Sequence, residues 1–214
     1  MDLPKKTPSI LYASILPYVW SWNAKAYQND YRNQRWVTFT AGGAQQERFN
    51  DETHRGLILN TTWRPDSRLA EFVLDAGVDG QWQDNIAQRY RTVQQARTSQ
   101  IRAWDFDLNT RGAYVQAVVQ PVQALKIIPA LRVDRVSGSF TDGLTKATSP
   151  VHDYGTITQP KISVAYAVRP DTSVYANWGR TFQIGTGIDS YRTASQSRNL
   201  DPSLNDGWEA GVKW

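Results

Sequence analysis

The sequence predicts an all-β protein: an antiparallel, up-and-down segment of a transmembrane β-barrel with about nine strands. Three observations predict it. Apolar residues recur at every second position over stretch after stretch, as in Ile162, Val164, Tyr166 and Val168 against Ser163, Ala165 and Ala167. Tight turns near Asn29, Pro65, Pro121 and Pro170 alternate with connections that are several times longer and polar. This puts all short turns at one end of the sheet and all long loops at the other, the asymmetry of outer-membrane barrels. Finally, charges fall inside the strands on the face opposite the aliphatics, and Trp63 and Trp82 stand near opposite strand ends, where amphipathic rings suit a membrane interface.

Taken in order, the first strand runs to about Gln28 and is expected to end at a turn, Asn29-Asp30. Arg35 to Ala41 forms the second, Gly42 to Thr53 a polar connection, and Arg55 to Trp63 the third. After Arg64-Pro65-Asp66-Ser67, the fourth strand, Leu69 to Trp82, sets Phe72, Leu74, Ala76 and Val78 against Val73, Asp75, Gly77 and Asp79. Gln83 to about Asn109 is rich in Gln, Arg, Thr and Ser and is expected to be a long loop. Arg111 to Gln120 and Gln123 to Val136 flank Pro121, with Leu125 and Ile127 opposite Lys126, Arg132 and Asp134. Ser137 to Thr158 reads as a second long loop. The hairpin from Gln159 to Phe182 turns at Arg169-Pro170-Asp171-Thr172, because Pro170 has no N–H to donate and presets a turn. Gln183 to Asn205 is a third loop, and Trp208, Ala210, Val212 and Trp214 alternate with Glu209, Gly211 and Lys213 in the last strand.

Composition excludes several functions. Among 214 residues there is no stretch of apolar residues long enough for a helical span. Zero Cys rules out disulfides, thiolate metal sites and a Cys nucleophile, and His54 and His152 are the only histidines. The formal charge of +4 is scattered without a basic run, so no nucleic-acid partner is expected. Lys5 and Lys6 precede the apolar run Ser9 to Trp20, but Asp2, Pro4, Pro8 and Pro17 and the lack of a small-residue cleavage site count against a leader, so no signal peptide is expected. Glu47, Asp51, Glu52 and His54 read as a solvated loop cluster, and Gly185-Thr186-Gly187 lacks the lysine of a phosphate loop. No catalytic or metal constellation and no cofactor is expected.

Several stretches resemble the barrel of TonB-dependent outer-membrane receptors. Gly77-Val78-Asp79, Gly112-Ala113-Tyr114-Val115-Gln116 and Leu131-Arg132-Val133-Asp134 look like three of the family's strand motifs, in the family's order. Pro160-Lys161, then Tyr175-Ala176-Asn177-Trp178-Gly179-Arg180 with Thr181-Phe182, then Leu200-Asp201-Pro202 leading to Trp208-Glu209-Ala210-Gly211-Val212-Lys213, resemble the most specific run. The resemblance implies active transport of a ferric siderophore or similarly scarce ligand in a bacterial outer membrane, without covalent chemistry. TonB would supply energy through a plug segment not seen in this sequence. Such barrels hold about 22 strands, so the whole of 1–214 is expected to be the middle of a barrel, with an odd strand count that leaves its two ends on opposite sides.

That resemblance assigns roles by residue. Tyr90, Arg91, Arg97, Tyr154, Tyr191 and Arg192 are candidates to hold an anionic chelate by stacking and charge. Asp75, Asp79, Lys126, Arg132, Asp134, Glu209 and Lys213 would face the lumen. Phe72, Leu74, Val78, Leu125, Ile127, Ile162, Val164, Val168, Trp178, Trp208 and Val212 would face lipid. Two other functions fit the same alternation: a soluble Trp-rich β-sandwich that binds carbohydrate, and a small autonomous barrel acting as a pore.

Overall fold

A computed structural model describes residues 20–66, 69, 71–185, 190–191 and 200–214. They form one antiparallel sheet of nine strands, not closed into a barrel. In chain order these are β1 (Trp20–Val37), β2 (Gln45–Trp63), β3 (Glu71–Val93), β4 (Ala96–Val122), β5 (Leu125–Asp142), β6 (Ala147–Pro150), β7 (Ile157–Arg169), β8 (Thr172–Gln183) and β9 (Ser203–Lys213). Neighbours in sequence are neighbours in space, except that the short β6 pairs only with β5. An up-and-down meander of this kind has none of the Greek-key crossings of a sandwich.

Several expected loops are strands. Asn29 and Asp30 sit mid-strand in β1, paired with His54 and Thr53. Their turn chemistry is overridden because Asp30 accepts hydrogen bonds from Thr53 (3.0 Å) and Gln28 (3.1 Å) within the ladder. Most of 42–53 belongs to β2, and the ladder of β1 stops at Val37. The stretch 83–109 is the extension of β3 and β4, closed by Gln94 and Gln95 at φ 48° and 67°. Two successive residues at positive φ are the geometry of a two-residue hairpin turn. Ser137 to Asp142 likewise extends β5.

The strand count of nine survives for a changed reason, since two expected strands merge into β1 and β6 is new. The meander without β6 has an even number of strands. β1 therefore starts, opposite Trp63, at the same end of the sheet at which β9 finishes opposite Ser173. This corrects the expectation of ends on opposite sides. At that end the connections are short: residues 64–70, Gln123-Ala124 and Pro170-Asp171. The other end carries 184–202 after β8, but also the two-residue turn at Gln94.

Register sorts the two faces. Trp20, Trp63, Leu74 and Ala117 form one cross-strand row, Leu59, Val78, Ala113 and Val133 another, and Ile162, Trp178 and Trp208 a third. This apolar face is open: Val78 is 52% exposed and Trp208 83%. At the short-turn end it is bordered by Trp20 stacked on Trp63 (5.6 Å) and by Phe72 edge-on to Trp63 (6.1 Å). Along β3 the same face turns polar beyond Trp82, with Asp84 between Thr53 and Asp107, while on neighbouring strands charge begins lower: Arg55 shares the row of Trp82, and Arg111 and Arg135 stand opposite one another in the row of Gly80. Phe72 to Trp82 spans roughly 33 Å along the strand, or about 25 Å once tilted as barrel strands are, the height of a barrel's apolar band.

Candidate functional site

The opposite face is polar and tightly bonded. Asp79 on β3, Gly112 on β4 and Asp134 on β5 stand in one cross-strand row. Arg132, one position away on that face of β5, lays its guanidinium across the row. It donates to Asp79 (2.7 and 3.0 Å) and to Asp134 (2.6 and 3.0 Å), and Gln159 on β7 donates to Asp134 at 2.6 Å. The planar fork of arginine suits two carboxylates at once. Only glycine fits beneath it, since a Cβ on Gly112 would sit 2.7 Å from Asp134 Oδ1 and closer still to Arg132 Nη2. Gly77 makes the same kind of room in a neighbouring row: Tyr114 on β4 reaches over it to donate to Asn60 on β2 at 3.2 Å.

The remaining charges predicted on this face are also there by register, each with a partner. Asp75 accepts from Thr62 at 2.5 Å, Lys126 pairs with Glu71 at 2.8 Å, and Glu209 accepts from Tyr175 at 2.7 Å. Lys213 lies 5.7 Å from the Tyr175 ring centre. The apolar candidates Phe72, Leu74, Val78, Leu125, Ile127, Ile162, Val164, Trp178, Trp208 and Val212 all share the opposite face, while Val168 falls at the register shift beside the β7–β8 turn.

A family profile described as "TonB dependent receptor-like, beta-barrel" matches residues 13–214. The chain belongs to the TonB-dependent receptor β-barrel family. No curated protein matches it by sequence. Among solved structures, the unliganded ferric citrate transporter FecA superposes with a TM-score of 0.81 at 15% identity, over 93% of this chain and 30% of that one. At that identity the likeness is one of fold, and the chain spans under a third of the transporter's length.

The Arg132 bridge gives a physical reason for three of the motifs that resemble the TonB-dependent receptor family. Asp79 ends the first, Gly112 begins the second, and Arg132 and Asp134 belong to the third. Sequence alone places these residues on separate strands; register makes them one assembly.

The candidate ligand residues are dispersed. Arg91 is exposed on the polar face, in the row of Gln46 and Ser99. Tyr90 and Arg97 stand on the face that carries Trp82, beyond its apolar band. There Arg97 lies 4.0 Å from the Tyr90 ring centre and grips Glu47 with two 2.7 Å hydrogen bonds, while Gln34 donates to Glu47 at 2.8 Å. Glu47 is 1% exposed. Tyr191 and Tyr154 are buried with Phe106, Phe140, Val151 and Ile157, and Tyr191 donates to the Asp107 carbonyl at 3.1 Å. Burial pushes both phenols up from their ordinary range. Arg192 lies outside the described residues. Glu52 and His54 share one face, 3.5 Å apart, whereas Glu47 and Asp51 lie on the other. Among the described residues no group of carboxylates and histidines could hold a metal.

The Arg97 hydrogen bonds hold the Glu47 carboxyl below its usual range, against the opposing effect of burial. A carboxylate whose folded-state pKa is depressed stabilises the fold above its unfolded value of about 4.3, and loses that contribution as pH falls through the folded value. Glu47→Gln is expected to cost about 1–3 kcal/mol at neutral pH and to flatten the acid limb of stability. Unfolding midpoints in detergent across the acid range check it; a limb of unchanged steepness would remove Glu47 from the account.

Proposed function

We propose that the chain forms a stretch of the barrel wall of an outer-membrane active-transport receptor that takes up a ferric siderophore or a similarly scarce ligand, driven through TonB. The observation that carries this reading is the two-faced sheet. An exposed apolar band, about 25 Å tall along β3 where Phe72 and Trp82 edge it and with Trp20 and Trp63 beside Phe72, suits lipid. The opposite face, with Asp79, Arg132, Asp134, Lys126, Glu209 and Lys213 all partnered, suits a wet lumen. Phe72, Leu74, Val78, Leu125, Ile127, Ile162, Val164, Val168, Trp178, Trp208 and Val212 then contact lipid.

Beyond Trp82, β3 and β4 continue as a long hairpin, which would carry Arg91 and its neighbours clear of the membrane. Tyr154 and Tyr191 pack against Phe106 and Phe140 of the sheet, a supporting role beside any contact with ligand. The likeness of fold to a ferric citrate transporter makes iron uptake the first activity to test. An iron-starved strain lacking the gene that encodes this chain should lose energy-dependent accumulation of at least one labelled ferric chelate, and regain it with the gene only when TonB is present. Accumulation unchanged for every chelate, or restored without TonB, would sink the reading.

A further inference from the structure

Four arginines far apart in the chain stand side by side in the sheet. Arg35 on β1 pairs with Arg48 on β2, Arg48 with Arg89 on β3, and Arg89 with Arg102 on β4. The row lies on the polar face, beyond the level of Trp82, and Arg91 stands in the next row outward. Like charges directly opposite one another are destabilising in a sheet. On the same face Asp79, Arg132, Asp134, Lys126 and Glu209 have partners, but among the described residues no ion pair joins a carboxylate to any of these four. The charge of Asp142 acts on Arg102, but less than desolvation and the neighbouring Arg89 and Arg48 do.

The row is also dressed in a way that keeps it in place without neutralising it. The Arg102 guanidinium lies 3.5 Å from the Trp104 ring centre and that of Arg48 4.4 Å from Phe39. Ring faces hold guanidinium groups while leaving the N–H edges free to donate. Arg48 Nε is buried without a hydrogen-bond partner. Arg89 and Arg102 feel both desolvation and their neighbours' charge, which bring Arg102 down to about 10. Strands about 4.8 Å apart make the row roughly 14 Å long, longer than one carboxylate or phosphate can satisfy.

We propose that the Arg35–Arg48–Arg89–Arg102 row is a binding site for a polyanion that presents several carboxylate or phosphate groups along its length. Such a ligand supplies the counter-charges the row lacks, in bidentate hydrogen bonds that an arginine fork is built to make. The inference deepens the transporter reading by giving the ligand its charge and its landing place, and rests on that reading only for the side from which the ligand arrives.

The test is equilibrium binding by the chain refolded in detergent, followed by tryptophan fluorescence at low salt, with citrate, tripolyphosphate and glucose as probes. Saturable binding of citrate or tripolyphosphate, weakened by salt, is expected, and the tighter of the two gives the oxygen chemistry. R48Q/R89Q should weaken it by about tenfold or more, as should R102K, which keeps the charge and loses the fork. R55Q, on the other face, should leave binding unchanged. R89Q should also raise the unfolding midpoint without anion, because it relieves repulsion; a merely structural arginine would lower it. Absence of saturable anion binding, equal binding of glucose, or R48Q/R89Q and R102K binding like the unaltered chain would overturn the proposal. Because uptake is not measured, failure here leaves the transport reading standing, and failed uptake leaves this result standing.

Discussion

Arg132→Ala is expected to destabilise the chain by about 3–5 kcal/mol, the cost of leaving partly buried charges without their partner. Asp134 is 6% exposed, and without Arg132 it retains only the hydrogen bond from Gln159. Asp79 would lose both of the hydrogen bonds that Arg132 donates to it. Arg132→Lys should recover less than half of the loss, because one ammonium cannot span two carboxylates as the fork does. Gly112→Val should produce a loss of similar size by pushing the guanidinium off the row, since even a Cβ there meets Asp134 Oδ1 at 2.7 Å. The double variant should then cost little more than either single change, because both remove the same bridge. Denaturant unfolding in detergent measures all four; full additivity would show that Gly112 acts independently of Arg132.

Tyr191→Ala carries the second large effect, about 3–5 kcal/mol for a buried aromatic side chain. Its ring is 2% exposed and packs on Phe106 (5.6 Å) and Phe140 (5.9 Å), and its hydroxyl is bonded to the Asp107 carbonyl. Around it, Tyr191 bridges to Val151, and His152 N donates to the Ser190 carbonyl at 2.9 Å. The substitution should therefore expose the segments around Val151 and Ser190 together. Hydrogen exchange reads this directly: lost protection near Val151 and Ser190 with β1–β3 unchanged is expected. Tyr191→Phe should cost only about 1 kcal/mol, the usual net value of one hydrogen bond. Unaltered exchange in Tyr191→Ala would mean that the ring does not hold these segments down.

The contrast between these two sites explains what the sequence disclosed. Where one face is apolar, alternation is plain, and the band from Phe72 to Val78 or from Ile162 to Tyr166 was legible residue by residue. Above Trp82 both faces are polar, so period two leaves no contrast between Arg48 and Glu47 or between Arg89 and Gln88, and strands read as loops. Asn29-Asp30 misled for a related reason: its turn chemistry is local, while the pairing with His54 and Thr53 that overrides it is not. Charges facing the polar side were legible from parity, but their partners were not, since Arg132 meets Asp79 only through a register no single strand encodes. Tyr191 carried no mark distinguishing a packed ring from a solvated one, because the Phe106 and Phe140 that bury it lie in other stretches read as polar connections. The arginine row was hidden for both reasons at once.

The glycines beneath the bridges have a mechanical consequence. Backbone pairing ties each strand only to its immediate neighbours, but Arg132 joins β5 to β3 over Gly112, and Tyr114 joins β4 to β2 over Gly77. These are overlapping struts, each skipping one stave. A load that pries at β4 is therefore shared with β2 as well as with β3 and β5, and the wall resists shear along its strands more than ladder hydrogen bonds alone would allow. A partner that pulls on something seated against this face would find β2 to β5 responding as one plate.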